Sequence, residues 1–554
     1  MPPGSTERED RLARTILVVA MALSAATLLV GGRHLTFWSD ELTWLVFTDD
    51  FTPAHLLTPH NSHLIATTRL IYEALPRIFG TDYLPFRIIG IVCLQANAVL
   101  LFHLVRRRLG AAIALVPAVV LLFFGSAQEV AVSPLGIPFL LSIALGLGAF
   151  ATVERRTLAG DAGAMLLLVL AILSHTFGAI VAIGVAVYYA LERGRRRELW
   201  VPLVPLALWV AWWIWARQFD QGITEGSNIA GTPLFVVEVA GATLRGILGF
   251  APDWPLAGVV WVLFDVAAVA GAVLLIVRAV ARGTTPWLWA YAVTLLAFWT
   301  GLGLSEGAER GPSTPRYLIF GAIMVVLVAA EAFRGADLTL RVRRAIVVAG
   351  AVCLLGNVVM MARTISALTD QAKDVRAQIG IVSGGPGVPD PGLWISDLGP
   401  PASARIDAPI GPLLSFEREY GPLGYSADEL RAQSDAVRRG ADFVLIRVLG
   451  IGAGEIPAGQ ALKTSGCVTR RPASDGYTTF ELPPGLDVVT LERDPGAAGA
   501  SLDLGRFADV PDVEIAALRA GRRNVIVLPG DGLEEPWRAR TTGTIEACRA
   551  RAAR

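Results

Sequence analysis

The feature that most limits what this chain can become is a series of apolar runs that recurs between residues 15 and 363 and then stops. Each run is about 17 to 25 residues long, enough for a helix to cross a hydrocarbon core of about 30 Å. Only 17% of the 554 residues are charged, and the missing charge is missing from those runs. The sequence therefore divides into a short N-terminus (1–14), a membrane part (15–363) and a C-terminal part (364–554) with no apolar run of that length. The expected fold is an α-helical polytopic membrane protein of about eleven spans followed by an α/β domain. Net charge is zero and the isoelectric point about 7.0, which gives no reason to expect a nucleic-acid partner.

Arginine clusters orient the spans, because basic residues are retained on the cytoplasmic side. Arg8, Arg11 and Arg14 precede the run 16–32, which reads as an uncleaved anchor rather than a cleaved signal peptide; the N-terminus is then cytoplasmic. Arg106–Arg108, Arg155–Arg156, Arg193–Arg197, Arg278 with Arg282, and Arg334–Arg344 close or join later runs and fall on the same side. This holds only if the apolar stretch 162–191 is two short half-spans broken at Ser174-His175. It also requires that 233–250, which contains Glu238 and Arg245, lie as a helix on the outer face of a plasma membrane instead of crossing it. An odd number of spans places 364–554 outside the cytoplasm.

Polar chemistry gathers on that outer side. The first outer loop, 33–86, contains Trp38-Ser39-Asp40-Glu41-Leu42-Thr43 and four of the six histidines, His34, His55, His60 and His63. Asp40 and Glu41 read either as a helix start with acidic residues in the first turn, capped by Ser39 or Asp40, or as a general base with its neighbour. Helical neighbours point about 100° apart, so only one of the two aims at a nucleophile. His60 and His63 are three apart and would share a helix face. With a carboxylate they offer a ligand set for a divalent cation; hydrogen bonding to sugar or phosphate is the plainer reading. His175 at the break is either a polar plug or a cavity-facing group. Arg87 and Arg316, at the mouths of two spans, are interfacial anchors or clamps on a lipid phosphate, and Tyr317 is an interface anchor or a ligand.

Four of these features occur together: Asp40-Glu41 after the first span, "HNSHLIATTRLIYEALPRIFGTDYLPFRI" before the second, the break "AILSHTFGAI", and "STPRYLIF" at a late span. As an ordered set over residues 15–363 they resemble the glycosyltransferase C superfamily, whose mannosyl- and arabinosyltransferase-like members use polyprenyl-phosphate sugars at the outer membrane face. "HNSHL" departs from the His-Pro-Pro pattern of many relatives, which affects His63 and the subfamily. The resemblance implies inverting transfer from a polyprenyl-phosphate sugar to a glycan, lipid or protein acceptor. Asp40 would be the base, with Arg316 and Arg87 stabilising the leaving phosphate. Members do not share one metal requirement, so a divalent cation stays open. A flippase for lipid-linked sugars and a non-catalytic scaffold of envelope assembly are the alternatives. The polar groups here cluster on one side with no internal repeat, unlike many transporters.

In the C-terminal part, strands are expected at 392–396, 443–448, 478–482 and 524–528, and helices at 427–439, 513–520 and 543–551. Cys467 and Cys548 are expected to pair if this domain meets an oxidising compartment; the alternative is two free thiols. Cys93 and Cys353 lie in apolar spans as small buried side chains. The domain reads as a binding module or a cap.

Overall fold

The computed structural model describes residues 3–47, 51–219, 226–250, 257–305, 311–384, 390–399, 406–455, 462–482, 489–493, 500–518, 524–528 and 535–552. In chain order the helices are α1 (Pro3–Gly31), α2 (Asp40–Val46), α3 (Pro53–Leu57), α4 (Ala66–Phe79), α5 (Leu84–Leu109), α6 (Ala111–Leu122), α7 (Glu129–Val132), α8 (Ile137–Val153), α9 (Leu158–Ser174), α10 (Phe177–Leu191), α11 (Trp200–Ala216), α12 (Thr232–Leu248), α13 (Ala257–Arg282), α14 (Pro286–Leu304), α15 (Pro315–Ala332), α16 (Leu340–Gly384), α17 (Ile410–Tyr420), α18 (Ala427–Arg431) and α19 (Asp435–Val448). The strands follow as β1 (Ala453–Glu455), β2 (Leu462–Arg470), β3 (Tyr477–Leu482), β4 (Val489–Arg493), β5 (Ala500–Gly505), β6 (Val513–Leu518), β7 (Asn524–Ile526), β8 (Trp537–Thr542) and β9 (Ile545–Ala552). Among the described residues, eight helices are long and apolar enough to cross a membrane: α1, α5, α8, α11, α13, α14, α15 and α16. Three shorter apolar helices, α6, α9 and α10, complete the runs seen in the sequence. The chain is a multi-pass membrane protein with a strand-containing C-terminal domain.

The chain forms two compact units. The first holds residues 1–35, 48–78 and 82–368; the second holds 36–47, 79–81 and 369–554. The segment 33–86 is thus shared: α2 belongs with the C-terminal residues, whereas the histidine segment belongs with the spans. α16 is 45 residues long.

Within the first unit, side-chain hydrogen bonds stitch spans that are otherwise held by packing. Ser24 Oγ donates to the Leu122 carbonyl (2.7 Å), joining α1 to α6. Asn97 Nδ2 donates to the Leu140 carbonyl (2.7 Å), joining α5 to α8. Arg108, the last of three consecutive arginines, does not reach for solvent. It is buried and bonds Glu331 of α15, Glu154 after α8 (2.7 Å) and the Tyr291 hydroxyl of α14 (2.9 Å). Gly110, at φ 85°, then ends α5 and turns the chain into α6. A second knot forms where the Asp161 carboxylate accepts from Tyr189 Oη (2.6 Å) and Arg195 Nη2 (2.6 Å).

The long apolar stretch is broken as expected. α9 ends at Ser174, His175 is extended (φ −170°, ψ 157°), and α10 starts at Phe177. Their 17 and 15 residues correspond to about 25 and 22 Å, short of a full bilayer core. The reversal is so tight that a Cβ on Gly178 would lie 2.3 Å from the Ile172 nitrogen, so only glycine fits there. Ser142 Oγ of α8 donates to the Ala171 carbonyl (2.9 Å), which also accepts the His175 amide (3.0 Å), and so ties the break to α8.

α12 is not among the span-like helices. It buries Phe235, Val239, Ala242, Thr243 and Arg245 against its neighbours. Phe235 closes on Gly303 of α14, Thr243 on Gly321 of α15, and Gly249 on Gly356 of α16. Asn357 of α16 fixes the end of α12: its Nδ2 donates to the carbonyls of Gly246 (3.2 Å) and Ile247 (2.9 Å), and its Oδ1 accepts from the Ser126 amide (3.1 Å).

In the second unit, α17–α19 precede two antiparallel sheets, one ordered β1-β7-β4-β9-β2 and the other β3-β8-β5-β6. A domain mixing helices and strands was expected, but four runs change type, the first being 392–396, where Trp394 makes an isolated bridge to Pro409 and a 3-10 turn runs from Ile395 to Leu398. Residues 443–448 end helix α19, because Val437, Ala441, Val444, Leu445 and Val448 continue a buried face at helical spacing that begins before that run. Residues 513–518 are β6, and 545–552 are β9. The Ala- and Arg-rich β9 has a helix former's composition, but it pairs with β2 on one side and β4 on the other, and tertiary pairing overrides local propensity. Cys467 of β2 and Cys548 of β9 form a disulfide. Cys93 and Cys353 are free and buried. The helical and strand layers meet at Asp442 of α19. This fully buried carboxylate accepts from the amides of Phe507 (3.0 Å) and Ala508 (2.9 Å). Burial raises its pKa to about 6, against the lowering effect of those backbone donors.

Candidate functional site

The acidic pair sits at the start of α2, in the second unit. Ser39 occupies the cap position but its side chain does not cap the helix. Its backbone is held at φ 51°, ψ −134°, a conformation that non-glycine residues rarely adopt. The Ser39 hydroxyl donates instead to Asp407 Oδ2 (2.9 Å). The capping reading of the sequence therefore does not describe Ser39. Asp40 follows as the first helical residue and is half-buried, while Glu41 is fully buried, as are Leu42 and Leu45. The two carboxylates are thus sorted by the helical turn: Asp40 keeps access, and Glu41 points into the unit.

The histidine segment is built in the first unit. His60 and His63 do not lie on a helix. Each amide donates to the other's carbonyl (2.9 and 2.8 Å) across a tight turn whose central residues, Asn61 and Ser62, have φ of 47° and 66°. Those positive values are the signature of the two-residue hairpin turn, for which Asn is suited. The expected i, i+3 shared face does not exist, because the turn puts the two residues opposite each other. His63 Nδ1 shares a 2.9 Å hydrogen bond with Thr176 Oγ1, and its ring lies 4.3 Å from that of His175. His175 is buried between Phe139 (4.6 Å) and Phe177 (4.3 Å). Thr67 Oγ1 donates to Ser174 Oγ (2.8 Å), and Trp212 Nε1 to the Leu57 carbonyl (2.7 Å). The loop is thereby pinned to the α9–α10 break and to α11, and His175 acts as part of that pin.

The two arginines separate in role. Arg87 is buried, and its guanidinium donates to the carbonyls of Leu28 (2.5 Å) and Leu29 (2.8 Å) at the end of α1. It caps a helix C-terminus, where a cation meets the negative end of the dipole. Arg316 is the second residue of α15, half-buried, with its guanidinium 5.3 Å from the Tyr317 ring. Tyr317 is buried, 6.3 Å from Phe298. Residues 306–310 of the loop before Arg316 lie outside the described residues.

Three residues carry site character that the sequence reading did not assign, although it named Arg245 as a charge within an apolar stretch. Asp407 is one, and no local pattern marks it. Glu129 is another: it opens α7 directly after Gln128, whose φ 45° and ψ −119° nearly repeat the strained geometry of Ser39 before Asp40. Arg245 is the third, buried on α12 with Nη1 3.4 Å from Asp265 and Nη2 3.3 Å from Ser313 Oγ, and stacked 4.9 Å over Trp261. Its position within an apolar segment was the available signal. Among the described residues, one grouping of metal-ligating types has all its ligand atoms within 4.8 Å, namely Cys467, Glu546 and Cys548, and its sulfurs are joined in the disulfide.

No family model and no curated protein matches the chain. Among solved structures, it is similar to ArnT from Cupriavidus metallidurans in the apo state, with 14% identity over 76% of this chain and 91% of that one, at a TM-score of 0.45. It is also similar to the Archaeoglobus fulgidus oligosaccharyltransferase. The apo form of that protein gives 12% identity over 81% and 70% of the two chains, at a TM-score of 0.42. The complex with Zn and sulfate gives 16% over 68% and 56%, at 0.39. At these identities and scores, a likeness assigns no residue a role.

Proposed function

We propose that this chain is a membrane glycosyltransferase of the glycosyltransferase C type. It would move a sugar from a polyprenyl-phosphate donor to an acceptor hydroxyl at the outer membrane face, with inversion. The observation that carries the reading is the start of α2, where a strained Ser39 presents a half-buried Asp40 while Glu41 is taken into the interior. Strain of this kind persists only where the surroundings over-determine it, and it gathers at functional sites.

In this reading the acceptor oxygen attacks the anomeric carbon and its proton passes to the Asp40 carboxylate. The bond from the anomeric carbon to the phosphate oxygen breaks, and the electron pair leaves with the polyprenyl phosphate. No strong acid is needed, because the departing charge is met by a cation, the role assigned to Arg316. Glu41 supports α2 from within and takes no proton. His63 and His175 hold the loop to the α9–α10 break. No step is assigned to a metal.

The test is a transfer assay with Asp40→Asn against wild type in native membranes fed radiolabelled polyprenyl-phosphate sugars, with expression and topology checked for both. The expected loss is at least about a hundredfold, the scale of a general base. Equal transfer by a folded Asp40→Asn variant would overturn the assignment.

A further inference from the structure

α2 cannot hold itself in place. It has seven residues, and helices shorter than about 12 residues are marginal in water without outside contacts. Its first residue follows a backbone conformation that would relax if left alone. Both problems are met at one place. Asp407 accepts the Ser39 hydroxyl on its side chain (2.9 Å), and its backbone carbonyl accepts the Thr43 hydroxyl one turn further on.

The segment bearing Asp407 is itself fixed. Ile406, Ala408 and Ile410 are fully buried. The Ile410 amide donates to the Leu393 carbonyl (3.0 Å) and the Ile395 amide to the Ala408 carbonyl (3.4 Å), so residues 393–395 and 408–410 form a short two-stranded ledge. Trp394 on that ledge lies 6.3 Å from Phe47, the residue that ends α2. The helix is seated at both ends on one piece of the C-terminal chain.

We infer that Asp407 is the positioning residue for the transfer, holding Ser39 so that Asp40 is aimed at the acceptor hydroxyl. This rests on Asp40 being the base, as proposed above. Asp407 touches the residue before the base and not the reacting atoms, so it takes no proton. Asp40 is joined directly to Ser39, and a change in Ser39 ψ swings the Asp40 side chain. Small misplacements of a catalytic group cost rate more than binding. The C-terminal domain then does more than bind or cap; it builds the seat of the catalytic carboxylate.

The experiment uses the full chain in nanodiscs and compares Asp407→Ala, Asp407→Asn, Ser39→Ala and the Ser39→Ala/Asp407→Ala pair, with Asp40→Asn as control. It reads kcat, donor KM and the hydrogen exchange of amides 40–46. Asp407→Ala should lower kcat at least about tenfold and leave donor KM within about twofold, the pattern of a group that acts on the chemical step. Asp407→Asn should return kcat to within about threefold of wild type, because its amide oxygen still accepts from Ser39. The double variant should be no slower than the slower single, since both remove one bond. Amides 40–46 should exchange faster in Asp407→Ala and not in Asp407→Asn. Wild-type kcat in Asp407→Ala, a loss that Asn does not restore, or additive losses in the pair would each overturn the inference. If Asp407→Ala fails to fold, Ser39→Ala and Asp407→Asn decide by the same criteria. An inactive Asp40→Asn beside an unaffected Ser39→Ala sinks the positioning role alone, whereas an active Asp40→Asn removes the base and its positioning residue together.

Discussion

Arg108 joins three helices and the end of a fourth segment through one guanidinium, and its burial makes that arrangement costly to break. Removing it would leave Glu331, itself buried, without its strongest partner. Breaking one side of a buried pair typically costs about 3–5 kcal/mol, more than the pair itself contributes. Arg108→Leu should therefore lower the unfolding midpoint in detergent, and Arg108→Leu with Glu331→Leu should recover part of the loss. Asp442 gives a second prediction at this scale. Its folded pKa of about 6 lies above the ordinary 3.8, so the folded state binds the proton more tightly than the unfolded one. The second unit should then become more stable as pH falls from 7 through 6 toward 4, by at most about 3 kcal/mol. Asp442→Asn should flatten that dependence in a thermal-melt series while keeping an acceptor for Phe507 and Ala508. Single residues were the least legible level of the sequence. Asp40 stood out because an acidic pair after a span needs a reason. Arg87 looked like a clamp because nothing in the sequence shows that the carbonyls of Leu28 and Leu29 claim it. Asp407 was invisible, being 368 positions from its partner Ser39.

Elements were read well where hydrophobic period and charge act together, and poorly where they conflict. The break at Ser174-His175 followed from arginines that had to stay on one side, and the structure places it between α9 and α10. Gly178 is its structural requirement. Even Gly178→Ala should disrupt the reversal, because the added carbon would overlap the Ile172 backbone; size-exclusion profiles in mild detergent would show aggregation where wild type stays monodisperse. The strands of the second unit were harder. Ala-rich β9 and the apolar tail of α19 each carry a local signal for the wrong type, and pairing or packing with distant segments decides them. The disulfide between β2 and β9 closes a separation of 81 residues, and a loop of that order is worth about 4 kcal/mol in the chain-entropy account. Cys467→Ser with Cys548→Ser should lower the melting temperature of the second unit, and dithiol treatment of wild type should do the same.

For the whole molecule, the sequence showed a membrane part and a strand-containing part, with the division near residue 364 against an observed boundary at 368/369. It did not show that residues 36–47, from the first loop, belong with the C-terminal residues. Hydropathy has no means of marking such a return, because α2 is short, polar at its start and far from its seat. The short helices α9 and α10 carry a consequence of another kind. Full-length spans such as α5 and α13, of 26 residues each, suit a bilayer of ordinary thickness, while α9 and α10 fall about 5 to 8 Å short of it. Lipid beside them must thin or the helices must sink, and each ångström of mismatch carries a small cost. The protein should then sense membrane thickness. In vesicles of matched headgroup and graded acyl length, thermal stability should pass through a maximum at shorter chains than a bundle of uniform 20-residue helices would choose. Cells that thicken their membranes would strain the α9–α10 reversal before they disturb the longer spans.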